Sequence, residues 1–261
     1  MNWKKTTMNL TFGLLLTAVL AGAFLKGRSD RSRIRCTKIS VTVEDSAAVK
    51  FVGGKVVFGY LISEYKGILG MPIDSVDLKK VEEILDGKSA ILSNDAYITK
   101  DGVLHVSVTQ RKPLVRFQTN RYGFYSDEDG YLFPLEESFI SNIQIVDGQI
   151  PIDTADCRMG RPEDPEDSKW LDNVVDMVKF INSSPIWKDR IVQISCGSGG
   201  ELTLVPESGK EKFLFGPPED IREKFEKMEL YYTNIAAGKE EGYYNSVDLR
   251  FADQIICRNK K

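Results

Sequence analysis

Apolar and polar positions alternate with a period of two in several short runs and recur at helical spacing in others. In the first third of the chain, Ile39-Ser40-Val41-Thr42-Val43 alternates and predicts a strand. Val57, Tyr60, Leu61, Glu64 and Tyr65 follow at helical spacing, with Gly67 and Gly70 as stops. A second helix is predicted from Val76 to Asp86, burying Leu78, Val81, Ile84 and Leu85. Asp74 is its expected N-cap and Gly87 its expected left-handed C-terminal residue. Asp95–Lys100 and Val103–Gln110 then flank Asp101-Gly102, a dipeptide suited to a hairpin turn. Leu104, Val106 and Val108 face one way, His105, Ser107 and Thr109 the other. The order is β-α-α-β-β, two helices on one face of a small sheet.

A second group of elements fills the rest. Phe124-Tyr125-Ser126 and Tyr131-Leu132-Phe133 flank Asp129-Gly130 as a hairpin. Ser168 is the expected cap of a helix whose Leu171, Val174, Val175, Val178 and Ile181 form one stripe. Strands are predicted at Ile191–Cys196, Leu202–Val205 and Lys212–Phe215, with Ser208-Gly209 turning the last pair. A helix opens near Pro218-Glu219-Asp220, acids at its positive end, and carries Ile221, Phe225, Met228, Tyr232 and Ile235. The fold class expected of the whole is α+β.

In the closing stretch, Val247, Leu249 and Phe251 alternate with Asp248 and Arg250. That is a strand with one buried face, running on through Ile255-Ile256-Cys257. A strand added last to a sheet can leave a row of unpaired N–H and C=O groups for another chain to complete. The expectation is therefore that Val247–Phe251 lies at a sheet margin, with Arg250 pointing outward.

Between Lys5 and Lys26 no charge occurs, and Met8–Leu25 is largely Leu, Ala, Val, Phe and Gly. About 20 such residues span a bilayer as a helix. The competing reading is a cleavable signal peptide with Ala21-Gly22-Ala23 as its cleavage site. Lys4 and Lys5 precede the segment, whereas Lys26, Arg28, Arg31, Arg33 and Arg35 follow it. Charge counting alone places the body in the cytoplasm, and the basic run suits anionic headgroups.

Composition narrows the classes. The 261 residues have room for about two domains, and a net charge of −3 gives no argument for nucleic acid. Cys36, Cys157, Cys196 and Cys257 are far apart with no C-x-x-C pair, against zinc or a thioredoxin-like site.

The run Val108-Thr109-Gln110-Arg111-Lys112-Pro113-Leu114-Val115-Arg116, then Tyr122 to Gly130 with its aromatics, Asp and Gly, resembles the domain junction of the FtsQ/DivIB cell-division family. Leu202–Ile235 and the closing Val247-Asp248-Leu249-Arg250-Phe251 are similar to that family too. The resemblance covers nearly the whole chain. It implies a cytosolic tail, transmembrane helix and basic stretch in residues 1–35, a POTRA domain in 36–116 and a β domain in 117–261. It implies a single-pass inner-membrane scaffold with its N-terminus cytoplasmic and its domains periplasmic. The partners implied are FtsB and FtsL, and other divisome proteins of the FtsK, FtsW and FtsI types. Strand addition beside the closing strand would then involve Asp248, Leu249, Arg250, Phe251, Ile255 and Ile256.

Candidate chemistry is sparse. His105, the single histidine, lies mid-strand. Gly197-Ser198-Gly199-Gly200 lacks the nucleophile elbow, and Gly53-Gly54-Lys55 lacks phosphate-loop spacing. Asp127, Asp129, Gly130 and Glu136 fall at calcium-loop offsets, but Tyr125 occupies the first ligand position. The run Glu163–Asp167 reads as a solvated loop before a helix. No enzyme activity, cofactor, metal or small-molecule substrate is expected. The alternatives are a POTRA-bearing component of another envelope system and a periplasmic cell-wall enzyme.

Overall fold

The computed structural model describes residues 13, 15–22, 33–44, 52–135, 143–153, 160–207, 210–240 and 242–259. The chain divides after Gln110 into two units. Residues 15–22 are helical, with Leu15, Leu16, Val19 and Leu20 exposed. Among the described residues no helix is long and apolar enough to cross a membrane. The expected span Met8–Leu25 runs past the described residues at both ends. Cys157, Glu136 and the Ser208-Gly209 turn also lie outside them.

The first unit contains β1 (Lys38–Val43), α1 (Gly54–Glu64), α2 (Leu78–Asp86), β2 (Ile91–Ile98) and β3 (Val103–Gln110). This is the β-α-α-β-β order that the periodicities predict. Its sheet runs β1-β3-β2, with β1 parallel and β2 antiparallel to the central β3. Leu104, Val106 and Val108 are buried, as are Val57 and Leu61 of α1 and Val81 and Leu85 of α2. Each such side chain contributes about 1.5–3 kcal/mol by leaving water.

The caps differ from expectation. Asp77 caps α2, accepting from the Lys80 N–H, while Asp74 sits one turn earlier in a 3-10 turn at Ile73–Ser75. Gly87 ends the helix with φ −69, a right-handed conformation. Lys88 N–H then closes on the Leu85 carbonyl, so no left-handed residue is needed. The β2–β3 loop is Thr99–Gly102 rather than a two-residue turn, and Gly102 N–H closes it on Thr99.

The second unit begins with β4 (Val115–Gln118), β5 (Gly123–Ser126), β6 (Leu132–Pro134) and β7 (Gln144–Gly148). After these come α3 (Pro165–Ser183), β8 (Ile191–Cys196), β9 (Leu202–Pro206) and β10 (Lys212–Gly216). The unit closes with α4 (Ile221–Leu230), continued by one wider turn at Tyr231–Ile235, then β11 (Tyr244–Asp248) and β12 (Ile256–Asn259). A boundary at Arg116 would cut β4, which pairs with β5 and β7, so the division lies earlier, at Gln110/Arg111.

Among the described residues of this unit, nine strands form one sheet, in the order β12-β11-β10-β9-β8-β7-β4-β5-β6. Register carries one apolar face across it: Phe124 opposite Phe117, Phe117 opposite Val146, Val146 opposite Ile194, Ile194 opposite Leu204, Leu204 opposite Phe213 and Phe213 opposite Val247. Leu171, Val174, Val178 and Ile181 of α3 and Phe225 and Met228 of α4 complete that core. The intervening strand positions, among them Arg116, Asp147, Ser195, Thr203 and Leu214, lie on the opposite face. Pro165 occupies the first turn of α3, where its missing N–H costs nothing. Asp164 rather than Ser168 caps the helix, accepting from the Glu166 and Asp167 N–H groups. The acidic run is thus the start of the helix.

Candidate functional site

The stretch expected at the margin is not there. β11 lies between β10, to which it is parallel, and β12, to which it is antiparallel. Its strand pairing with both neighbours ends at Asp248. Leu249 N–H still donates to the Leu214 carbonyl at 3.0 Å, and the backbone then turns away through Phe251–Gln254 before returning as β12. The outermost strand is therefore Ile256–Asn259. Periodicity reports which face of a strand is buried and does not count its neighbours, and a return this short leaves little alternation to read.

The six residues singled out in the sequence come together in this corner but occupy different environments. Asp248 and Leu249 are 2% and 0% exposed, whereas Phe251 is 47% exposed. Ile255 is half-buried against the core, as is Cys257. Ile256 stands opposite Asp248 and Arg258 opposite Ser246, on the face away from the helices.

Arg250 is exposed but already engaged. Its Nε and Nη2 donate to Asp248 Oδ1 and Oδ2 at 2.9 and 2.8 Å. Its backbone N–H adds a bond to Oδ1, and Nη1 reaches Glu201 on the β8–β9 connection at 3.3 Å. This fork of charge-assisted bonds stabilises a carboxylate that burial alone would disfavour. The Arg250 hydrogen bonds hold the Asp248 carboxyl below the usual carboxylate range, against the opposing effect of desolvation. Gly216 makes the pairing possible: at φ +75, a Cβ there would come within 2.7 Å of the Arg250 stem.

Two lysines that the sequence reading passed over hold the flanking loops. Lys224 and Lys227 of α4 are both nearly buried. Lys224 Nζ donates to the Pro217 carbonyl and Lys227 Nζ to the Phe251 carbonyl, each at 2.8 Å. Lys227 also pairs with Glu223 at 2.6 Å, and desolvation pushes the Lys224 ammonium below its ordinary pKa. Lys224 falls one helical turn from both Ile221 and Met228, a charge on the apolar stripe. That position was the available signal.

The other singled-out groups lie elsewhere. His105 stacks on Tyr97 with ring centroids 4.9 Å apart. Ser198 is exposed in a 3-10 turn between β8 and β9. Asp127 accepts the Asp129 and Tyr131 N–H groups on one oxygen and Arg111 on the other. Among the described residues no cluster of three His, Cys, Asp or Glu could hold a metal. Cys36, Cys196 and Cys257 are free thiols, and burial, with Asp147 nearby, pushes Cys196 up to about 12.

A family model described as FtsQ/DivIB, C-terminal related, matches residues 112–258, more than half of the chain. The chain belongs to the FtsQ/DivIB-related family. A POTRA-like domain model matches residues 34–109, the β-α-α-β-β unit. A comparison with curated proteins gives no match. FtsQ/DivIB proteins are non-enzymatic scaffolds of the membrane-associated divisome, so membership assigns a cell-division role exercised with protein partners. The mixed α/β fold with a POTRA-like unit and a β domain fits that family.

Proposed function

We propose that this protein is a single-pass division scaffold, anchored through Met8–Leu25 with its N-terminus cytoplasmic and both units outside the inner membrane. It receives FtsB- and FtsL-type coiled-coil proteins by strand addition. The receiving strand is β12, in place of the Val247–Phe251 stretch. One observation carries this reading: β12 is the end of the nine-strand order and, among the described residues, pairs only with β11. An unpaired strand edge is a template for another chain's backbone. The opposite margin, β6, is three residues long and carries Pro134, which blunts it.

In this arrangement Ile256 and Phe251 offer apolar contact, with Ile255 behind them. Asp248, Leu249 and Arg250 act from within, fixing the turn that presents β12. FtsK-, FtsW- and FtsI-type proteins are further partners of the same scaffold.

The test is capture of FtsB- and FtsL-type partners by the chain carrying Ile256→Lys with Phe251→Lys, melting temperature being followed in parallel. Capture should fall at least tenfold with the melt unchanged. Undiminished capture by a folded variant would move the docking site away from β12.

A further inference from the structure

We propose that the first unit lies against an anionic bilayer surface through the outer face of α1 and Leu69; this rests on the membrane-anchored reading above.

Helix α1 reads Gly-Lys-Val-Val-Phe-Gly-Tyr-Leu-Ile-Ser-Glu, and only Val57 and Leu61 of its aliphatic residues are buried. Val56, Phe58 and Ile62 remain 38, 39 and 38% exposed, and Leu69 beyond the helix 41%. Phe58 and Ile62 are four residues apart and so share one stripe. A surface helix usually turns charge outward. Within this helix the single acid, Glu64, is paired with Lys88, and the other charge is the cationic Lys55. Lys55 and Lys66 are exposed at the two ends of the helix. Scattered exposed apolar residues carry no message. A lysine-flanked apolar stripe on a helix is what interfacial helices present to headgroups.

The route of the chain selects the bilayer as occupant. Residues 34–36 are stitched to the corner that bears Leu69: Ile73 N–H donates to the Ile34 carbonyl, Cys36 N–H to Met71, and Gly70 N–H to Cys36. Arg35 Nη1 donates to the Gly70 carbonyl at 2.7 Å. The same corner follows directly on the C-terminal end of α1, where Ile68 N–H donates to the Tyr65 carbonyl. Seven residues lie between Leu25, the end of the apolar run, and Arg33, and the eight steps along the chain reach at most about 29 Å. Lys26, Arg28, Arg31 and Arg33 lie on this tether. A tether this short holds the patch at high effective concentration beside the surface, and its basic residues add attraction to anionic lipid.

The full chain is reconstituted in phosphatidylcholine vesicles with or without phosphatidylglycerol, recovered by flotation, and followed by amide hydrogen exchange. Segment 54–71 should exchange several-fold more slowly when phosphatidylglycerol is present. Phe58→Glu with Ile62→Glu, both exposed sites, should remove that protection while leaving the melting temperature unchanged. Equal exchange in the two vesicles, or protection surviving the double substitution, overturns the proposal. Protection that follows protein density instead of lipid charge overturns it in favour of a second copy. A chain that does not float with the vesicles overturns the anchoring itself, a failure distinct from the others.

Discussion

At the residue scale the corner turns on Asp248 and Arg250. Removing the guanidinium in Arg250→Ala leaves a buried carboxylate with its backbone bond alone, which should cost about 1–3 kcal/mol in urea unfolding. The sign of the pH effect follows from the direction of the shift. Because the folded-state pKa of Asp248 is depressed, the pair contributes fully above the ordinary carboxylate range. The contribution is withdrawn as pH falls through the lower folded value. Arg250→Ala should therefore show a shallower loss of stability on the acid side than the parent, measured by urea midpoints between about pH 5 and pH 2. Gly216→Ala combines a left-handed backbone with the close Arg250 stem and should destabilise by at least about 1 kcal/mol. The sequence shows Asp248 and Arg250 as neighbours on one strand face. It does not show that they pair with each other, because only the turn after Asp248 folds the arginine back.

At the element scale, what was legible was periodicity. The stripe on α3, the alternation on β3 and the aromatic hairpin at β5–β6 all sit where their patterns put them. Caps were less legible, since Asp74 and Asp77, or Asp164 and Ser168, are equally good residue types. Which of each pair caps depends on where the preceding chain bends. β7 has only Val146 as a deeply buried apolar residue, too little pattern to predict a strand. The loop between β11 and β12 depends on α4 through Lys227. Lys227→Met, which keeps the stem but loses the bond to Phe251, should speed amide exchange across residues 249–255. The exchange of β9 and β10 should be unaffected. Uniform acceleration throughout the second unit would instead mark global destabilisation. Cys36 and Cys196, both buried, should resist a thiol reagent at pH 8 until denaturant is added; reaction in the native state would show that their elements open.

For the whole molecule, each unit has its own buried core. Residues 111–261 expressed alone should melt cooperatively, as a chain with its own sheet and helices does. A non-cooperative melt would show that the core in Phe117, Phe213 and Trp187 is insufficient. Family membership was legible because the order of several weak motifs is informative where each alone is not. The position of the margin was not, because it is decided by the last few residues doubling back. That doubling back has a mechanical consequence. β12 is held to β11 through only a few registered pairs, from Asp248 with Ile256 to Tyr244 with Asn259, interrupted by a bulge. When the envelope constricts, a partner gripping β12 and tugging across the strand direction would unzip these pairs one after another. A pull along the strand would load them together, so a grip of the kind proposed at β12 would tolerate one heading of traction far better than the other.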